Sequence, residues 1–195
     1  MDKMESMEQW RKNLETQATL SPYQEKRLVF GDGSLRPQIM LIGEAPGGEE
    51  EKQGRPFVGK AGKNLTEFLT AIALQRKDLY ISNVVKFRPT KESPKTGKPI
   101  NRPPSKEEIA FFLPFLQEEI RLVNPKWIVT LGNVPLKAVT GENISIGDCH
   151  GTPRPLAENR RLFPLYHPAA VIYNRSLKET YHADLQKLKA HIAHT

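Results

Sequence analysis

The sequence predicts an α/β domain: a three-layer αβα arrangement around a central four-stranded parallel sheet. Three observations carry this. Residues 39–42, 79–85, 127–131 and 162–166 form short apolar runs rich in β-forming side chains. Between them lie stretches with the i, i+3, i+4 apolar spacing of helices. Strands alternating with helices require crossover connections, which set the strands parallel with helices on both faces. Continuously apolar strands agree with burial on both sides.

Taken in order, Met4, Met7, Trp10 and Leu14 make one stripe of an N-terminal helix within residues 1–20. The run 39–42 empties into Gly43-Glu44-Ala45-Pro46-Gly47, a glycine- and proline-rich loop holding one carboxylate. Leu65, Phe68, Leu69 and Ile72 form the next helical stripe, and the run 79–85 carries an asparagine, Asn83, among apolar residues. Residues 89–104 hold five prolines and no apolar periodicity, which predicts an irregular loop. Ser105 with Glu108 three residues later is a capping box opening a helix through Ile109, Phe112, Leu116 and Ile120. A short helix over 134–139 stops at Gly141. A last one starts near Ser176, with Glu179 as its box partner, and runs through Tyr181, Leu185, Leu188 and Ile192. His191 and His194 read as a polar tail. The 195 residues are expected to form a single domain, 1–195.

Composition narrows the function classes. No apolar run approaches the roughly 20 residues needed to span a bilayer, and the charged N-terminus is unlike a signal peptide. One cysteine, Cys149, read as inert, excludes internal disulfides and multi-cysteine metal sites. A monomer in a reducing cytoplasm, with no membrane partner, is expected. The net charge of +7 favours a polyanion. Residues 86–106 carry seven cations, Lys86, Arg88, Lys91, Lys95, Lys98, Arg102 and Lys106, against Glu92 alone. Nucleic acid is the partner this suits.

Three strand ends bear unusual polar groups: the Gly43 loop, Asn83, and His167 in Leu165-Tyr166-His167-Pro168-Ala169-Ala170. In a parallel sheet they converge on the crevice at the carboxyl ends of the strands. Phe57, in Gly54-Arg55-Pro56-Phe57-Val58-Gly59, comes from the adjoining loop. Singly, Phe57 reads as core, His167 as a strand-end histidine and Glu49-Glu50-Glu51 as a solvated run. Together they suit a flat heterocycle with an amide edge.

The order of Gly-Glu-Ala-Pro-Gly, Gly-Arg-Pro-Phe-Val-Gly-Lys-Ala-Gly, Ser-Asn-Val-Val-Lys-Phe-Arg-Pro, Asn101-Arg102-x-Pro104 and His167-Pro168 resembles the uracil-DNA glycosylase superfamily. Within it the likeness is to the thermostable iron–sulfur type (family 4), and it covers nearly the whole domain. The resemblance implies hydrolysis of the N-glycosidic bond of uracil in DNA, leaving an abasic site. By the same resemblance, Phe57 stacks on the extruded uracil, Asn83 reads its N3–H and O4, and His167 stands near O2. Glu44 and Glu50 are the carboxylates implied on the water side, and Ala45 belongs to the base pocket. Lys86, Arg88, Lys91, Lys95, Lys98, Arg102 and Arg175 are expected on the DNA backbone. The segment from Ala169 supplies an apolar wedge, Val171 or Ile172.

The departures are equally specific. Phe87 and Phe112 stand where two of the branch's four cluster cysteines belong, and residues 20–24 lack the other two. No iron–sulfur cluster, and no other cofactor, is expected. A related branch that cross-links to DNA has a histidine where this chain has Asn101, so turnover is expected. Another branch has an aspartate and a tyrosine where Ala45 and Gly47 stand, so its water activation and thymine exclusion do not transfer. The rival reading is a non-catalytic uracil- or nucleic-acid-binding protein of the same fold. A hydrolase of free nucleotides is disfavoured by the extended basic segment.

Overall fold

Side chains at alternate positions of the first central strand enter two separate cores, and this fixes the layering. The computed structural model describes residues 2–193. The chain opens with α1 (Lys3–Thr19), β1 (Asp32–Gly33), β2 (Ile39–Gly43), α2 (Gly48–Gln53) and α3 (Lys60–Ala71). A 3-10 turn (Arg76–Asp78) leads to β3 (Tyr80–Asn83), β4 (Thr90–Glu92) and β5 (Pro99–Asn101). Then come α4 (Lys106–Val123), β6 (Trp127–Leu131), α5 (Asn133–Thr140), α6 (Ile146–Cys149) and β7 (Arg154–Pro155). The chain closes with β8 (Arg161–Leu165), α7 (Pro168–Tyr173) and α8 (Leu177–Ala193).

Ile39 and Leu41 of β2 join Leu65, Phe68 and Leu69 of α3 and Tyr181, Leu185 and Leu188 of α8. Met40 and Ile42 join Met7, Trp10 and Leu14 of α1 and Phe112, Leu116 and Ile120 of α4. The sheet is therefore covered on both faces, in the expected three layers.

The sheet order is β1-β3-β2-β6-β8-β7. Its inner four strands are parallel, with Leu41 facing Ile81 on one side and Val129 on the other. The expected four-stranded parallel sheet is thus the centre of a six-stranded mixed one. The added edges, β1 and β7, are antiparallel and two residues long. Two residues carry no readable periodicity, and short edge strands with Gly33 and Pro155 blunt further pairing.

Residues 89–104 also differ from expectation. β4 and β5 pair as an antiparallel ribbon, Thr90 opposite Asn101 and Glu92 opposite Pro99. Its polar side chains give no alternation to read. Arg102 fixes the ribbon by a two-pronged bond to Glu108 at the start of α4, at 2.8 and 2.6 Å. The Ser105–Glu108 capping box forms as expected, and Gly141 ends α5 at φ 70°. Ahead of α8 the turn is held instead by Asn174, whose Oδ1 accepts from the Ser176 amide and hydroxyl. His194 lies outside the described residues. Among these, no helix is long and apolar enough to cross a membrane.

From β2 the chain passes first to β3 on one side and later to β6 on the other. Such a reversal leaves a crevice at the carboxyl ends of the strands.

Candidate active site

That crevice is an open cavity of about 310 Å³, and Asn83, Phe57 and His167 all line it, together with Ala45, Glu50 and Ala169. Asn83 ends β3 and is 3% exposed. Its Oδ1 is buried with no hydrogen-bond partner among the described residues. An unpaired buried polar atom costs about 1–3 kcal/mol. A ligand carrying an N–H would remove that cost.

Phe57 has φ 52°, an uncommon backbone for an aromatic residue. Two clamps hold it. Arg76 donates to the Phe57 carbonyl at 2.8 Å and to the Pro56 carbonyl at 2.9 Å. Gly62 of α3 lies against the Phe57 backbone so closely that a Cβ there would collide with its carbonyl. On the other side, Glu50 Oε1 accepts from the Val58 and Gly59 amides at 2.9 and 2.7 Å. Glu50 Oε2 accepts from the Gly47 amide at 3.2 Å. A carboxylate offers about four acceptor positions, so one on Oε2 remains.

His167 is the N-cap of α7, with Pro168 at the first helical position, where its missing amide costs nothing. The Ala169 amide donates to His167 Nδ1 at 3.1 Å. Nδ1 is therefore unprotonated, and the neutral ring carries its hydrogen on Nε2. Burial pushes the imidazole down to about 4, against a weaker upward pull from Glu50. The ring is 5.8 Å from that of Phe57, tilted by 32°. Glu44 is half-buried and burial raises its carboxyl. It lies beside the cavity rather than in its lining.

The rim adds residues that sequence reasoning did not assign. Tyr173, at the end of α7, is 86% exposed yet borders the cavity. Lys60 and Asn101 border it as well. Lys60 and Asn101 fall within motifs already singled out, and Tyr173 directly follows the wedge candidates; Arg76 carries no signal, since its role is to hold another residue's carbonyl.

The model of the uracil DNA glycosylase superfamily matches residues 30–189. The chain belongs to the uracil-DNA glycosylase superfamily. It is 40% identical over 168 residues to the type-4 uracil-DNA glycosylase of Thermotoga maritima, covering 85% of this chain and 83% of that one. The corresponding enzyme of Sulfurisphaera tokodaii is also 40% identical, over 83% of this chain and 73% of its own. That of Archaeoglobus fulgidus is 36% identical, over 82% and 79%.

Several expectations for this superfamily member need correction. Lys86 is wholly buried and cannot touch a phosphate. Its Nζ pairs with Glu119 at 2.6 Å and donates to Ser82 Oγ at 2.7 Å and the Asn83 carbonyl at 2.6 Å. Burial lowers its pKa, opposed by Glu119. The basic run in sequence concealed this because the chain beyond β3 turns inward there. Val171 is 7% exposed and packs into the core shared with α3 and α8, so it is no wedge. Ile172 is half-buried on the cavity wall. Arg88 and Arg102 are tied to Glu51 and Glu108. Lys91, Lys95, Lys98 and Arg175 are exposed.

The iron–sulfur cluster of the similar branch does not fit these side chains. Tyr23, Phe87, Phe111 and Phe112 pack as one aromatic group, with centroids 4.9 to 6.0 Å apart. Cys149 sits on α6, its thiol toward the Ser145 carbonyl. Rings offer no thiolate to iron, and no chemical step is assigned to such a group.

Proposed function

We propose that the chain removes uracil from DNA by hydrolysing the N-glycosidic bond, leaving an abasic site. The observation that carries the reading is the unpartnered Asn83 Oδ1, buried in the same cavity as Phe57 and His167. Uracil offers the missing N3–H, and its O4 takes the Asn83 amide hydrogens. Cytosine would set an amino donor against that amide, and a site built for one edge rejects the other strongly.

Phe57 stacks on the base. The His167 Nε2–H donates to uracil O2, where charge gathers as the C1′–N1 bond breaks. A neutral, preoriented donor of this kind is worth about 10²–10³ in rate. Glu50 provides a fixed negative charge beside the cation-like sugar, and Glu44 a second carboxylate nearby. The base reaches the cavity only after leaving the stack, at a cost of a few kcal/mol. Tyr173, in place of Val171, is the aromatic that fills the gap, with Ile172 and Ala169 lining the same cavity. Lys91, Lys95, Lys98 and Arg175 hold the backbone. The protein is read as a monomer of a reducing cytoplasm, as one cysteine suits.

Purified protein should release uracil from an oligonucleotide, and Asn83→Ala combined with His167→Ala should abolish release. Undiminished release by that variant removes the assigned roles. Binding to uracil-containing DNA without base release would make the protein a non-catalytic reader.

A further inference from the structure

Among the described residues, neither hydrophobic core takes a side chain from the β4–β5 ribbon. From Lys91 to Asn101 every residue but Ser93 is exposed. A two-stranded hairpin is marginally stable by itself, yet this one is fastened at its base. Arg102 grips Glu108 by two bonds and donates through Nε to the Thr90 carbonyl at 3.0 Å. Arg88 Nε donates to Asn101 Oδ1 at 2.7 Å, which turns the Asn101 NH2 toward Gly47. At the tip, the Ser93 amide donates to the Lys98 carbonyl and the Gly97 amide to the Ser93 carbonyl, both at 2.9 Å. Gly97, at φ 63°, closes that turn.

The register sorts the ribbon's side chains by charge. Directly opposed residues of an antiparallel pair share a face, and successive residues alternate between faces. Thr90, Asn101, Glu92 and Pro99 form the face on the side of the cavity, which Asn101 borders. Lys91 and Ile100 form the opposite face, and the next pair, Ser93 with Lys98, continues it. The acid therefore lies on the inner face. Two cations lie on the outer face, one on each arm, with Ile100 beside both. Ile100 is 39% exposed, an apolar side chain with no core beneath it.

An apolar side chain flanked by a cation on either arm of a narrow ribbon fits a groove with an uncharged floor and phosphate walls. Width selects the groove. Two paired strands lie about 4.8 Å apart before side chains are added. The major groove, about 12 Å wide, admits such a ribbon, and the minor groove, about 6 Å wide, does not. From Asn101 to Lys95 the ribbon spans about 20 Å, the length of about six base pairs. We propose that the β4–β5 ribbon lies in the major groove of the duplex beside the flipped nucleotide, with Ile100 on the base edges and Lys91 and Lys98 on opposite phosphate walls. The proposal rests on the glycosylase reading and adds to it a surface that engages only paired DNA. Thymine methyl groups on the groove floor are the apolar partner for Ile100.

Binding of the full chain to oligonucleotides carrying non-hydrolysable 2′-fluoro-deoxyuridine tests this. Glucosylated 5-hydroxymethylcytosines within about six base pairs of that nucleotide fill the major groove and leave base pairing intact. They should weaken duplex binding by about tenfold or more. Replacing residues 92–99 by Asn-Gly, a two-residue turn that joins Lys91 to Ile100, should shrink that penalty severalfold. Ile100→Asp should lower the ratio of duplex to single-strand affinity by about tenfold, because it sets a carboxylate among phosphates. A glucosylated duplex bound as tightly as the plain one, a penalty unchanged by the shortened ribbon, or an unmoved affinity ratio for Ile100→Asp would each overturn the proposal. A parent chain that binds these duplexes but releases no base from uracil-containing DNA would instead remove the glycosylase reading and leave the groove contact standing.

Discussion

Asn83 and Phe57 meet over the bare Cα of Gly43. A Cβ there would press on the Asn83 amide oxygen and stand 2.5 Å from the edge of the Phe57 ring. The residue proposed to read the base and the residue proposed to stack on it are thus set by one missing side chain at the end of β2. Gly43→Ala should displace both. Uracil release is expected to fall by about a hundredfold or more, with a stability loss of about 1–3 kcal/mol from overpacking. Kinetics and urea melts of the same variant check the two together.

The depressed His167 makes stability depend on pH. The folded ring titrates near 4 and the unfolded one near 6.5, so on acidification the unfolded chain takes up its proton first. The stability tied to a neutral His167 is complete above pH 6.5 and is lost as pH falls to 4, about 3 kcal/mol in all. His167→Gln should flatten that slope in melts at pH 7, 5 and 4.

Lys86 should behave as a structural residue. Lys86→Met strands Glu119 without its cation, and breaking such a buried pair costs about 3–5 kcal/mol. The double variant Lys86→Met/Glu119→Leu should recover much of that loss in denaturant melts. Unfolding at the same denaturant concentration for the single variant and the parent would contradict the pairing.

The exposed lysines should behave differently. Replacing Lys91, Lys95 and Lys98 by alanine should leave stability within about 0.5 kcal/mol. The slope of log affinity against log salt should become shallower by about 0.9 for each duplex phosphate contact removed. Salt titrations of binding measure it directly.

Tyr173→Ala should weaken activity on duplex DNA more than on single strands. An aromatic that replaces a departing base matters only where a stack must be held open. Rates on paired and unpaired uracil, compared as a ratio, isolate this. An equal loss on both would assign Tyr173 to the base pocket instead of the stack.

Much of the fold was legible because burial on both faces leaves a plain mark. The runs at 39–42 and 127–131 are apolar throughout, and the Ser105–Glu108 box announces α4. The edge strands and the β4–β5 ribbon were not legible: two or three polar residues have no period. The site was legible as far as its motifs went, bringing Asn83, Phe57 and His167 to one place. It failed where a residue's type misstates its surroundings. Lys86 looks solvated in a basic run, and Val171 looks available after His167-Pro168.

By itself, the amino-acid order settled which strands are buried, which face each helix presents, and which family the motifs belong to. These depend on near neighbours and on spacing along the chain. Only the folded chain decided that Lys86 points inward to Glu119, that Glu50 is stapled to the Val58 amide, and that Asn101 turns its NH2 toward Gly47. Those outcomes depend on partners 33, 8 and 13 residues away in the chain. No local pattern encodes them, because a charge or an amide is oriented by whichever distant group can satisfy it once water is gone.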